Sequence, residues 1–204
     1  MPYVVQEARE PELFRFITNR NLLWQYDFML HSVRIALDSM PASAPRITGG
    51  FLNSLNHFAV VNLTPCPGAL RTDFVHINGS PHEPPHPDVA KAEFLKLVCD
   101  MKLLWDRGDD AIQLACYLLW RITWIHPYEE GNGRTARAAA YYILCVKNGF
   151  ALPGEKTIPQ LIRESPDQYY KALRHADETH GAGVVDLAPL QDMLKSLLVR
   201  QLQT

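Results

Sequence analysis

The stretch WIHPYEEGNGRTARAAAYYILC, residues 124–145, decides how the rest of the chain is read. An apolar segment delivers His126, Pro127 stops it, an acidic and glycine-rich turn follows, and from Asn132 a helical pattern runs for several turns. Proline lacks the N–H that continues a helix and its ring clashes with the turn before it. The stretch therefore predicts a helix, a tight loop and a second helix. Gly131 and Gly133 open backbone conformations closed to other residues, so successive amide N–H groups can turn toward one point. That point faces the start of the second helix, where the first four N–H groups have no intrahelical partner and the dipole is positive. Such a loop is a seat for phosphate.

The side chains around the loop extend the same chemistry. Arg134 and Arg137 are three residues apart, so their guanidinium groups leave one helix face near its first turn and reach phosphate oxygens bidentately. Glu130 is placed to hold a hard cation such as Mg²⁺. His126 titrates near neutral pH and is the candidate acceptor of a hydroxyl proton. Each feature alone has a plain reading as a turn, a core histidine or a solvated charged face. Base, carboxylate, glycine pair and two arginines within twelve residues together point to a site.

His126, Pro127, Tyr128, Glu130, Gly131, Asn132, Gly133, Arg134 and Arg137 resemble the signature of Fic proteins, HxFx(D/E)GNGRxxR, with Tyr128 where Phe is usual. The resemblance implies an all-α fold, mainly a helical bundle, and transfer of AMP from ATP to a Ser, Thr or Tyr hydroxyl of a target protein. It implies His126 as general base and Glu130 as the Mg²⁺ ligand. Asn132 and the amides of Gly131 and Gly133 would hold the α-phosphate, and Arg134 and Arg137 the β- and γ-phosphates. Tyr128 keeps the ring under the loop and adds a hydroxyl that needs a partner.

Outward from the motif, 204 residues with 47% apolar content and a formal charge of −2 predict a single domain with a sizeable core. Its parts are N-terminal helices over 1–60, a target-docking region over 61–88, a catalytic core over 89–150 and C-terminal helices over 151–204. Near-balanced charge argues against nucleic-acid or membrane-surface binding by bulk electrostatics. The opening MPYVVQEARE has neither a basic n-region nor a long apolar run, which points to a cytoplasmic protein. The four cysteines form no CxxC pair and read as buried free thiols.

Apolar residues recur at helical spacing over about 10–40, 47–59, 89–105, 111–125, 158–163, 167–179 and 187–202, with a break at 41–45. The helix over 111–125, with Arg121 its lone charge, should run through the core and deliver His126. Residues 62–87 carry no helical period. Within them 72–77 alternates, and Asn78-Gly79 is a hairpin-turn signal, so a short β-hairpin is expected near 71–79. An exposed strand accepts an extended peptide through its backbone. On the resemblance this is the flap where a target docks, through Thr72, Phe74, Val75, His76 and Ile77. His76, His82 and His86 are spaced irregularly in a proline-rich loop without cysteine and read as loop residues, not metal ligands.

The resemblance also assigns a base pocket of Val75, Tyr169, Tyr170 and Asp177, with Tyr169 the stacking surface. Asp177 stands where Asn is usual and accepts from an adenine amino group without being able to donate. The inhibitory pattern (S/T)xxxE(G/N) found in many Fic proteins is missing from this sequence, since Glu130 alone among the glutamates precedes Gly or Asn. A separate antitoxin-like partner supplying that Glu is one expectation and unrestrained activity the other. Transfer of UMP, phosphocholine or phosphate on the same fold remains an alternative, although the kinase-like Doc branch departs from GNGR. A non-catalytic nucleotide- or peptide-binding module is another.

Overall fold

The structure, a computed structural model, describes residues 4–7, 9–41, 44 and 46–203. The expected break at 41–45 and the opening decapeptide fall partly on residues outside that set. Eight helices are present among the described residues: α1 Pro11–Asp38, α2 Gly49–Val60, α3 Pro87–Arg107, α4 Ala111–Ile125, α5 Asn132–Asn148, α6 Ile158–Glu164, α7 Pro166–Gly181 and α8 Ala188–Leu202. None is long and apolar enough to cross a membrane. The cysteines are free; Cys116 and Cys145 are buried, whereas Cys66 and Cys99 are exposed.

Helix α4 is the axis of the bundle because its sequence leaves it no polar face. Leu114, Ala115, Leu118, Leu119, Ile122 and Ile125 are all at 0% exposure, and a helix apolar around its circumference must be surrounded. Its start is fixed by a capping box in which Asp110 accepts from the Gln113 amide at 2.9 Å and the Gln113 side chain accepts from the Asp110 amide at 3.0 Å. Helix α5 packs beside it through buried Ala136, Ala139 and Ala140, small residues that let the backbones approach. It ends at Gly149, whose left-handed φ of 83° lets its N–H cap the carbonyls of Cys145 and Val146.

Helices α1 and α2 cover α5, and polar side chains fix the contact between them. The Gln25 amide donates to the Leu55 carbonyl at 2.9 Å, and Asn21 donates to the Val61 carbonyl at 2.8 Å. Each buried carboxamide thus has a backbone carbonyl as its partner. On the opposite flank α3 lays Phe94, Leu97 and Met101 into the core. Gln201 of α8 is at 0% exposure and donates to the Tyr141 hydroxyl and the Pro153 carbonyl, tying the C-terminal helices to α5.

The β-hairpin expected near 71–79 does not form. The turn does: Ser80 N–H donates to the Ile77 carbonyl at 3.1 Å, with Gly79 at φ 76°. The returning strand would be SPHEPPHP, residues 80–87, whose prolines have no N–H to contribute to a ladder. What remains is an extended segment in which Thr72, Phe74 and His76 are exposed while Val75 and Ile77 are half-buried. It is anchored by an isolated antiparallel bridge between Leu70 and Tyr128.

Candidate active site

Helix α4 stops at His126, which adopts φ 49° and ψ 58°, one of two non-glycine positive-φ positions among the described residues. The following Pro127 disfavours the right-handed helical region at His126, and the left-handed conformation turns the chain sharply out of the helix. Arg71 holds this strained corner. Its Nε donates to the His126 carbonyl at 2.7 Å, its backbone N–H donates to Pro127, and its other guanidinium nitrogens reach the carbonyls of Asp73 and Pro85. One buried cation thus fastens the extended segment and Pro85 to the corner at His126. Sequence reading missed it, because a lone arginine in an aperiodic loop carries no signal distinguishing it from a solvated one.

The His126 ring is ordered by its own helix. Nδ1 lies 3.2 Å from the Thr123 carbonyl, which accepts only if that nitrogen carries the proton, so Nε2 is left as the acceptor. Burial lowers the pKa to about 4. The bond to Thr123 opposes that shift, while the positive charge of Arg71 and the neighbouring His82 add to it. The imidazole is therefore neutral near pH 7, the state a proton acceptor needs.

The two glycines of the loop have different jobs. Gly131 sits at φ 78°, and a Cβ there would lie 2.5 Å from Val60 Cγ1 and 3.1 Å from Asn56 Nδ2, so it is needed for close packing on α2. Gly133 has an ordinary φ, and a Cβ there would meet the Arg137 guanidinium at 3.2 Å. Asn132 is at 1% exposure and its carboxamide closes the loop, accepting from the Tyr128 amide and donating to the Tyr128 carbonyl, both at 2.9 Å. Its side chain thus shapes the loop. No side chain caps α5, so its first-turn amides remain for an anion.

Asn56, absent from the sequence expectations, pins this loop. It is at 1% exposure, donates to the Glu130 carbonyl at 2.8 Å and accepts from the Gly68 amide at 3.0 Å. The Tyr128 hydroxyl finds its partner in Asn53 Oδ1 at 3.0 Å. Arg134 donates to the Ala59 carbonyl at 2.6 Å, a cation at the negative end of α2, and burial lowers its pKa. Glu130 is exposed. No group of three His, Cys, Asp or Glu side chains that could hold a metal occurs among the described residues. An exposed carboxylate beside an anion seat suits Mg²⁺, which is held by one or two carboxylates together with substrate phosphates and water.

A cavity of about 370 Å³ gathers His126, Gly133, Arg137, Tyr169, Tyr170 and Asp177, with Ile77 of the extended segment in its wall. Val75 does not line it. Tyr169 is at 2% exposure and its hydroxyl has no partner among the described residues, whereas Tyr170 is at 52%; Tyr170 is the more open of the two rings. Asp177 accepts from Trp120 Nε1 at 2.9 Å, and burial raises its pKa. His82, read from sequence as an ordinary loop residue, also lines the cavity and lies 2.8 Å through Nε2 from the Trp124 carbonyl.

Residues 46–144 match the sequence model of the Fic/DOC family. The fold is similar to that of a Fic domain containing signaling protein from Bacteroides thetaiotaomicron, at 23% identity and a TM-score of 0.71, covering 90% of this chain and 70% of that one. It is also similar to a Fic family protein from Desulfovibrio desulfuricans G20, at 21% identity and a TM-score of 0.66, covering 90% of this chain and 51% of that one. A fragment of Fic-1 from C. elegans matches at 22% identity and a TM-score of 0.62, over 88% of this chain and 48% of that one. The chain thus spans about half the length of the latter two. No curated protein sequence matches.

Proposed function

Starting from a chain that carries a domain of the Fic/DOC family, we propose that it is a protein adenylyltransferase, moving AMP from ATP to a Ser, Thr or Tyr hydroxyl of a target protein. One observation carries the reading. A single cavity holds a neutral imidazole, a glycine-lined anion seat, a cation and an aromatic wall, and one side of it is the extended segment that can pair with a peptide.

His126 Nε2 takes the proton as the target oxygen bonds to the α-phosphorus, while the bond from that phosphorus to the bridging oxygen breaks and pyrophosphate leaves with the electron pair. Arg137 and the first-turn amides of α5 stabilise charge on the phosphates, and Arg134 supports them from its seat on α2. Mg²⁺, when bound, supplies further charge neutralisation, and Glu130 is the residue that would hold it. Tyr170 offers a stacking face for the base, while Asp177 and the unpaired Tyr169 hydroxyl offer polar contacts. The target segment lies along 72–77, where outward-facing Thr72, Phe74 and His76 meet its side chains.

A second reading, transfer of another nucleotide or phosphate-containing group, is favoured by Asp177, a carboxylate at the position where the resemblance has Asn. Incubation with each nucleotide labelled at its α-phosphate and a cell lysate separates the readings: label from ATP alone supports AMP transfer, label from a different nucleotide replaces it, and label from none leaves a binding module. Regulation is proposed to come from a separate protein whose carboxylate engages Arg137. Co-expression with neighbouring gene products should then relieve growth inhibition, and equal growth with and without them removes that proposal.

A further inference from the structure

Helix α1 packs on α2 and α5 through a face that buries Ile17, Asn21, Gln25, Met29 and Val33. Its opposite face carries a second apolar stripe. Phe16, Leu23, Leu30 and Leu37 recur there at strict seven-residue intervals, and Phe16 and Leu23 stand at 65% and 67% exposure. A seven-residue repeat drifts slowly around a 3.6-residue helix, and it forms the seam along which one helix coils on another. No described residue covers this seam at Phe16 and Leu23. Beside it lie Arg20 and Asp27, also seven apart and opposite in charge. No ion pair engages either of them among the described residues. The Arg20 guanidinium is held in place, lying 4.2 Å from the centre of the Trp24 ring and donating to Asn21 Oδ1 at 2.8 Å and to Asn62 Oδ1 at 3.2 Å.

We propose that this face of α1 is a docking surface for a second copy of the chain, paired antiparallel about a two-fold axis at Leu23. The charges select that occupant and that direction. In the antiparallel arrangement Leu23 meets its own equivalent, Phe16 is level with the partner's Leu30, and Arg20 is level to within one residue with the partner's Asp27. The two-fold axis makes the Phe16 contact and the ion pair twice, which is the self-complementarity an isologous interface requires. A parallel pairing in register instead sets Arg20 against Arg20 and Asp27 against Asp27, and like charges so placed repel. From Phe16 to Leu30 the seam runs about 21 Å. One helix face of that length lies at the small end of specific interfaces, so the dimer dissociates in the micromolar range. None of this depends on the AMP-transfer reading.

Sedimentation of the full chain from low to high micromolar concentration tests the surface. The parent's average mass should rise with concentration from that of one chain toward twice it. Leu23→Glu puts two carboxylates on the axis and should stay monomeric throughout, with its melting temperature unmoved because the side chain it replaces is mostly in solvent. Asp27→Arg sets cation against cation and should weaken the dimer about tenfold or more. Adding Arg20→Asp to Asp27→Arg swaps the signs and should recover most of that loss, a rescue that damage to the fold cannot produce. A parent that remains monomeric overturns the proposal and leaves the face to a different protein. So does a dimer that Leu23→Glu does not break, which places the contact elsewhere, or a double variant that pairs no better than Asp27→Arg alone. Should Leu23→Glu fail to fold, the charge swap alone decides.

Discussion

His126 combines a strained backbone with a depressed basicity, and both follow from its position between an apolar helix and a proline. The left-handed conformation costs about 1 kcal/mol or more, which the surrounding hydrogen bonds, Arg71 foremost, must offset. With a pKa pulled down to about 4 by burial, the imidazole is a competent base at any pH above that value and loses function only as it protonates below it. The acid limb of kcat/KM should therefore fall near pH 4 rather than near the ordinary 6.5. A limb at 6.5 in the rate profile of the parent protein contradicts that environment. The glycines make a second residue-scale test. Gly131→Ala meets both a positive φ and Val60 at 2.5 Å and should destabilise by roughly 2–4 kcal/mol in urea unfolding. Gly133→Ala meets only the mobile end of Arg137, so it should keep its unfolding midpoint while losing affinity for ATP.

At the scale of elements, α4 carries the site because it is buried on all sides and cannot shift without opening the core. Leu119→Ala, at a position with 0% exposure, should cost about 2–5 kcal/mol; a loss under about 1 kcal/mol would mean that α4 is not the packed axis described. The helices were legible in the sequence because apolar spacing, Asp110 and Gly149 declare them locally, and the loop at 126–133 because glycine and proline have few other uses in that order. The alternation over 72–77 and the Asn78-Gly79 turn signal suit a hairpin, but the prolines of 80–87 deny the partner strand its donors, so the turn forms without the ladder. Arg71 and Asn56 were invisible for a different reason. Each acts through a contact with a residue far along the chain, and no spacing rule encodes that.

Over the whole molecule, the proposed function gives the central cavity two faces, one built from α5 and α7 for a nucleotide and the other from an unpaired extended segment for a target chain. Phe74, at 75% exposure, lies on that segment and contributes little to the fold. Phe74→Ala should therefore lower kcat/KM for the protein target about tenfold with KM for ATP and melting temperature unmoved; a matched rise in both KM values would place Phe74 in the nucleotide site instead. The central claim is that the cavity aligns His126 with a hydroxyl and the α-phosphate of ATP. Its most direct test is paired measurement on His126→Ala of ATP affinity and of transfer of the α-phosphate label to protein. Affinity close to the parent value with transfer reduced about a hundredfold or more is the predicted result, and transfer at the parent rate contradicts the account.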